Sequence, residues 1–471
     1  MNRIKTDICV IGAGSGGLSV AAGAVQMGAR VVLIEGHKMG GDCLNYGCVP
    51  SKALIAAGKQ AHQVFKGGFG VPPVQVTVDF AAAKDHVQSV IETIAPVDSQ
   101  ERFESLGCTV IRDYARFISP SEVQAGDTVI TARRFVIATG SSPLVPPIPG
   151  LDSVPHYTNE TIFDLRERPD HLLIIGGGPI GMEMAQAHRR LGCAVTVIEG
   201  DRAMGKDDPE LAAIVLENLR GEGIEIAEGA KAEKISGSDG SITVETTNGT
   251  FTGTHLLIAV GRKVNLDKLD LTKGNVAHDR AITVGDTLRS TTNKRVFAVG
   301  DCAGGLQFTH VASYHAGIVV RSAVLGLWWS KATSRHIPWA TYTDPELSQV
   351  GLTEAQAAEK FGDSLTTVRF PYAENDRAIA EGKTTGLIKV MVAGGRPVGV
   401  GIAGAHAGEL IGMWAMAIAN RQKMTAIANT VLPYPTLAEI NKRAAGTYFT
   451  PKLFDSPKVK TIVRLVQKYL P

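Results

Sequence analysis

At 471 residues the chain exceeds what a single hydrophobic core holds, and it predicts three or four domains. A hydrophobic content of 44% is that of a globular protein, and a formal net charge of +2 without long runs of one sign excludes a nucleic-acid footprint and a polybasic membrane patch. No apolar run reaches membrane-spanning length, since Arg321 interrupts Gly317–Trp329, so the expectation is a cytoplasmic protein with neither nucleic acid nor membrane as partner.

In chain order, Asp7–Ile11 predicts a strand, followed by the turn Gly12-Ala13-Gly14-Ser15-Gly16-Gly17 and an alanine-rich helix. These glycines also argue against reading the first 29 residues as a signal peptide. A second strand, Arg30–Ile34, ends at Glu35. Then comes Gly40-Gly41-Asp42-Cys43-Leu44-Asn45-Tyr46-Gly47-Cys48-Val49-Pro50-Ser51-Lys52, with two cysteines five positions apart. A disulfide needs Cα atoms about 5–6 Å apart, closer than i and i+5 of a regular helix. Cys43 must therefore precede the helix, or the turn must be distorted; Gly40, Gly41, Gly47 and Pro50 supply the irregularity. If the chain is helical beyond Cys48, Lys52 lies one turn on over the same face, where its cation favours a Cys48 thiolate. The other cysteines, Cys9, Cys108, Cys193 and Cys302, lie in or beside apolar segments and read as buried thiols.

The opening pattern recurs. Leu172–Ile175 predicts a strand, followed by Gly176-Gly177-Gly178-Pro179-Ile180-Gly181 and a helix; Ala194–Ile198 is the next strand, ending at Glu199. In both copies the acid lies 23 residues beyond the first glycine. Gly12 and Gly176 suit the tight turn, Gly14 and Gly178 let backbone approach a pyrophosphate, and Gly17 and Gly181 let helix pack on strand. Glu35 and Glu199 are placed to accept hydrogen bonds from a ribose diol. Three further strand-to-glycine segments, Phe135–Gly140, Leu256–Gly261 and Val296–Gly300, read as returning strands, the last running into Asp301. Pro143, Pro146, Pro147 and Pro149 mark a linker near 141–150. The region from Trp339 onward, with strands Leu387–Val392 and Val398–Ala403 and an apolar segment Leu410–Ala419, reads as α+β. The predicted fold is α/β, with two Rossmann-like dinucleotide-binding domains and a C-terminal α+β domain. The expected boundaries are 1–150 and 271–338 for the first nucleotide domain, 151–270 for the second, and 339–471 for the last.

Over essentially its whole length the chain resembles the pyridine nucleotide–disulfide oxidoreductases, which include dihydrolipoamide dehydrogenase, glutathione reductase and mercuric reductase. The resemblance rests on Cys43–Lys52, both glycine motifs, Val296–Asp301 and Pro435-Thr436-Leu437-Ala438-Glu439. It implies a homodimer with FAD, nicotinamide and interface domains, and FAD and NAD(H) as cofactors, NADP(H) remaining open. It implies a redox-active disulfide in which Cys48 faces the flavin and Cys43 is the interchange thiol. Lys52 would sit near the flavin N5, paired with Glu183. Asp301 would bind the ribityl chain, and Gln307, Phe308, Thr309 and His310 would line the isoalloxazine. Glu35 would hold the adenosine ribose of FAD and Glu199 that of the nicotinamide nucleotide, where a carboxylate repels a 2′-phosphate and favours NADH. Gly41, Asp42, Gly140 and Gly261 complete the expected cofactor-binding set; no resident metal is expected.

The chain departs from the family at two places. Dithiol-using members carry a histidine base before the Pro-Thr pair; here that position is Tyr434, with Glu439 retained as its partner. A tyrosine with a pKa of about 10 is a poor base at neutral pH. Mercuric reductases likewise carry Pro-Tyr here, but they end in a vicinal cysteine pair, and no cysteine follows Cys302. Asp42 replaces the usual threonine and, if ionised, would raise the Cys43 pKa. His315 and His406 read as structural histidines, and Trp328, Trp329 and Trp414 as core or interface anchors. The expected function is electron transfer from NADH through FAD and Cys43–Cys48 to a metal ion, a quinone or a small disulfide. The alternatives are a dihydrolipoamide dehydrogenase docking a lipoyl carrier protein, and a non-enzymatic redox-sensing flavoprotein.

Overall fold

The first predicted strand extends beyond its apolar segment: β1 spans Asn2–Ile11 and, with β2 (Val31–Ile34), carries the first glycine turn between them. All four residues of β2 are buried, the mark of a parallel strand covered on both faces rather than of an alternating one. Each such burial contributes roughly 1.5–3 kcal/mol. β3 (Thr109–Ile111) pairs with β2, and β4 (Ala115–Ser119), β5 (Glu122–Ala125) and β6 (Thr128–Ile137) complete a sheet of order β3-β2-β1-β6-β5-β4. β6 changes partner along its length. Its first half pairs antiparallel with β5, and Phe135–Ile137 pair parallel with Val296–Ala298. This returning strand carries Asp301 to the C-terminal end of the sheet. The computed structural model describes residues 2–470.

The second glycine motif leaves a smaller parallel sheet of strands Glu225–Ala227, Ala194–Ile198, His171–Ile175 and His255–Ile258, in that order. Phe135–Gly140, Leu256–Gly261 and Val296–Gly300 thus enter the sheets as returning strands. The proline-marked linker holds an unexpected strand: Ser141–Pro143 pairs antiparallel with Arg262–Val264. Its three residues are too few to show a period, and Pro143 disguises them further.

The chain divides into two compact units, Met1–Asp201 with Ile224–Thr333, and Arg202–Gly223 with Ser334–Pro471. The second is built on a five-stranded antiparallel sheet of Pro338–Thr341, Glu346–Gly351, Arg396–Gly404, Leu387–Ala393 and Leu365–Pro371. The predicted apolar segment is the helix Ala407–Ala419, whose fully buried Trp414 donates its indole N–H to Asn441 at 2.8 Å. Trp328 and Trp329, in contrast, are 72% and 60% exposed, so neither is a core residue.

One buried cation sits within this second sheet. Lys389 reaches Asp208 at 2.7 Å, Glu210 at 2.7 Å and Glu354 at 2.7 Å, with Lys389 and Asp208 both almost fully enclosed. Removing a partner from a buried pair strands the remaining charge, at a cost of about 3–5 kcal/mol. Lys389→Met, which strands the buried Asp208 beside two further carboxylates, is therefore expected to destabilise this unit by about that amount in denaturant unfolding, and Asp208→Ala, which leaves Lys389 paired with Glu210 and Glu354, by clearly less. Equal effects of the two substitutions would contradict the account.

Candidate functional site

The two glycine motifs fold into the same device. Gly12 has φ +104° and a Cβ there would lie 2.4 Å from the Ala138 carbonyl oxygen; Gly176 has φ +114° and its Cβ would lie 2.4 Å from the Ala259 oxygen. A Cβ on Gly17 or Gly181 would strike the carbonyl of Gly12 or Gly176 at 1.8 Å and 2.0 Å. The helices that follow, α1 (Ser15–Gln26) and Pro179–Arg190, begin at Gly14 and Gly178 with no side-chain cap. Their first amides are thus left to an anion. Glu35 accepts from the amides of Ala13 at 2.6 Å and His37 at 2.7 Å, and Glu199 from those of Gly177 at 2.6 Å and Asp201 at 3.0 Å. Each carboxylate is oriented by backbone and retains lone pairs for a ribose diol. Both cradles fit an adenine dinucleotide.

The cysteine segment is not one regular helix. α2 (Gly41–Asn45) contains Cys43, the chain breaks at Tyr46 and Gly47, and Cys48 opens α3 (Cys48–Lys66). A Cβ at Gly47 would lie 2.8 Å from the Asp42 carboxylate, so a larger residue there would push that side chain aside. Both cysteines are free, and a hydrogen bond between them is the leading influence on the acidity of each. That bond pushes Cys43 well above the ordinary thiol range, with burial adding to the rise. The same bond, first, lowers Cys48 to about 6; a hydrogen bond from Thr309 and the Lys52 cation assist, and burial opposes. Thr309 Oγ1 stands 3.4 Å from the Cys48 sulfur, at the start of the helix Thr309–Ala323. Lys52, one turn along α3, forms an ion pair of 2.8 Å with the buried Glu183 of Pro179–Arg190.

Asp42 departs from expectation. Its charge opposes ionisation of Cys48 rather than standing among the chief influences on Cys43. Its carboxylate meets Arg262 at 2.9 Å and accepts from Asn159 at 3.2 Å. Arg262 also donates to the Ser141 hydroxyl and carbonyl, both at 2.7 Å, and Ser141 donates to Asp301 at 2.5 Å. Burial pushes the Asp301 carboxyl up, against the lowering effects of Ser141 and Arg262. A chain Asp42–Arg262–Ser141–Asp301 therefore joins α2 to the returning strand. Arg262 and Ser141 were missed in the sequence; the one available signal was their position beside Gly261 and Gly140.

Gly140 and Gly261 have open space where a Cβ would stand. Gln307 precedes the stacked rings of Phe308 and His310, 5.3 Å apart. Gly41 lies at the first turn of α2, against Gly14. His315 is buried and accepts from the Gly300 amide at 3.2 Å, which fits a structural role, and His406 stands at the N-cap position of Ala407–Ala419 in a left-handed conformation, without a side-chain capping bond. Cys9, Cys108, Cys193 and Cys302 are buried, and burial raises each thiol. Tyr434 and Glu439 belong to the second compact unit. Tyr434 is exposed and donates to Asp376 at 2.9 Å; that bond, with Glu439 contributing, lifts its phenol above the ordinary range. Among the described residues no cluster of three or more His, Cys, Asp or Glu could hold a metal ion, and no helix is long and apolar enough to cross a membrane.

Two matched nucleotide cradles, one beside a dithiol backed by a lysine–glutamate pair, define a flavin-dependent disulfide oxidoreductase. The sequence matches the pyridine nucleotide-disulphide oxidoreductase family over residues 6–316 and that family's dimerisation domain over 337–445, and the chain belongs to this family. It is 33% identical to a mercuric reductase of Lysinibacillus sphaericus over 95% of this chain and 83% of the relative. It is equally 33% identical to a dihydrolipoyl dehydrogenase of Bacillus subtilis, over 94% and 96%. Among solved structures it resembles the copper(II) complex of the HOCl-induced flavoprotein disulfide reductase RclA of Escherichia coli, with TM-score 0.84, 28% identity and coverage of 93% and 99%. It also resembles LpdA of Mycobacterium tuberculosis, with TM-score 0.85, 25% identity and coverage of 95% and 99%. The enzyme uses FAD and NAD(P)H.

The thiolate of Cys48 is expected above a pH of about 6 and lost below it in the dithiol enzyme. Alkylation rate against pH reads this midpoint, which Thr309→Ala and Lys52→Met should each raise. A midpoint at the free-thiol value of about 8.5 would contradict the assignment.

Proposed function

We propose that this enzyme passes electrons from NADH to a thiophilic metal ion through the Cys43–Cys48 pair, with Cys48 beside the flavin and Cys43 facing the acceptor. Residues 1–150 and 271–338 would bind FAD, 151–270 the nicotinamide nucleotide, and 339–471 would form the interface of a homodimer. Bound FAD supplies the relay that takes two electrons from NADH and delivers them to sulfur. The first half-reaction consumes NADH, the disulfide and a proton, and yields NAD+ and two thiols. In the second, the thiols re-form the disulfide, release two protons and give two electrons to the metal, as two copper(II) to copper(I) or one mercury(II) to mercury(0).

Each residue has a role in this reading. The Lys52 cation, held by Glu183, favours negative charge at Cys48 and on the neighbouring reduced ring. Thr309 donates to the Cys48 thiolate. The Cys43 proton, held against Cys48, leaves once a metal binds sulfur, because coordination itself favours the thiolate.

The observation that carries the choice of acceptor is Tyr434. Its phenol is held protonated by Asp376, so it donates a hydrogen bond but does not take a proton at neutral pH. A dithiol substrate needs that base; a metal ion does not. The mercuric reductase relatives and the copper complex of the RclA structure support the same reading. The equal identity to a dihydrolipoyl dehydrogenase keeps lipoamide as the second reading.

The test is NADH oxidation by purified enzyme against copper(II), mercury(II), a soluble quinone, glutathione disulfide and lipoamide. The expected kcat/KM for a metal ion exceeds that for lipoamide by roughly 100-fold or more, the usual worth of a general base. Tyr434→His is expected to raise lipoamide turnover at least ten-fold. Lipoamide as the best acceptor of the unaltered enzyme would refute the proposal. Separately, Glu199→Ala should narrow the NADH-over-NADPH preference by about ten-fold, equivalent to one charge repulsion of about 1.4 kcal/mol; an unchanged ratio would remove Glu199 from coenzyme selection.

A further inference from the structure

The helix Pro457–Tyr469 starts at Ser456, whose side chain accepts from the Val459 amide, and it buries none of its side chains. Val459, Ile462, Val463, Val466 and Leu470 recur at helical spacing and form one apolar stripe. Ile462 is 59% exposed, Val463 50% and Leu470 64%, and Leu453 and Phe454 just before the helix are exposed too. The opposite face carries Lys460, Arg464 and Lys468, with Lys458 at the first turn, and no Asp or Glu occurs from Ser456 to Leu470. One to three other residues separate successive cations, so a search for runs of like charge passes over them. Wound into a helix, they gather on one side.

We propose that this helix lies on an anionic phospholipid surface, its stripe sunk at the boundary of headgroups and acyl chains and its cations among the phosphates. A strong separation of faces with low mean hydropathy and an all-cationic polar side is the signature of such helices. Charge complementarity selects the occupant. An anionic surface takes up the stripe and meets the four cations at once, whereas packing the stripe on a second copy would leave all four cations without counter-charge. The helix also lies beyond the dimerisation-domain match, which stops at residue 445. This attachment departs from the expectation of no membrane partner and involves no spanning segment. It is independent of the acceptor.

The test is co-sedimentation of the FAD-loaded, full-length enzyme with vesicles of phosphatidylcholine alone or mixed with phosphatidylglycerol. Binding is expected only to the mixed vesicles and is expected to fall with added salt. Each cation near such a surface is worth about five-fold in binding, so K460Q/R464Q should weaken it roughly 25-fold. Ile462→Ser with Val466→Ser should abolish it, with NADH-dependent activity unchanged in both variants. Absence of binding at low salt, equal binding to both vesicle types, or binding that neither variant alters would overturn the proposal. So would an apolar variant that splits the dimer in light scattering and leaves vesicle binding as it was, since the stripe would then be a subunit contact.

Discussion

The hydrogen bond between Cys43 and Cys48 is the contact on which the chemistry rests. It drives the two thiols apart in acidity, one far above its ordinary range and the other down to about 6. Two equivalent thiols would share a proton without preference and would offer neither a standing nucleophile nor a standing donor. The break at Tyr46 and Gly47 permits that bond, since an uninterrupted helix would hold the sulfurs apart. Thr309 and Lys52 then bias the anion toward the same sulfur from two further elements, so three separate segments agree on where the charge resides.

Around that bond the fold repeats a single solution to holding a dinucleotide. The same turn, uncapped helix and backbone-held carboxylate occur twice, differing in what lies alongside. The first cradle is followed in the chain by the dithiol. The second opens the helix that presents Glu183 to Lys52. One helix thus has an uncapped N-terminus after the glycine turn and, one turn later, supplies the carboxylate that pairs with Lys52.

Much of this was legible from local pattern. Glycine turns between apolar strands, acids at a fixed offset and a cysteine pair set among glycines are short-range signals with short-range causes. They placed both cradles, the interruption between the cysteines and the position of Lys52. The partner of Asp42 was not legible, because Arg262 is remote in sequence and an arginine after a glycine carries no pattern of its own. The buried Lys389 was equally silent, since its three acids come from two other segments. For Trp328 and Trp329 the sequence left core and interface both open, and their exposure removes the core, because burial there is decided by the path of the loop. The cationic helix escaped because net charge and charge runs are linear measures, and its order is angular.

The ion pair between Asp42 and Arg262 ties the dithiol segment to a distant part of the same unit. The Arg262 side chain is only 13% exposed, and it bridges the dithiol segment to Ser141 and Asp301. Replacing Asp42 by an uncharged residue would leave a largely enclosed guanidinium without its ion-pair partner, and replacing Arg262 would leave the Asp42 and Asp301 carboxylates without the cation between them. A change at either position is therefore felt at both ends of the link, in the dithiol segment and at Asp301.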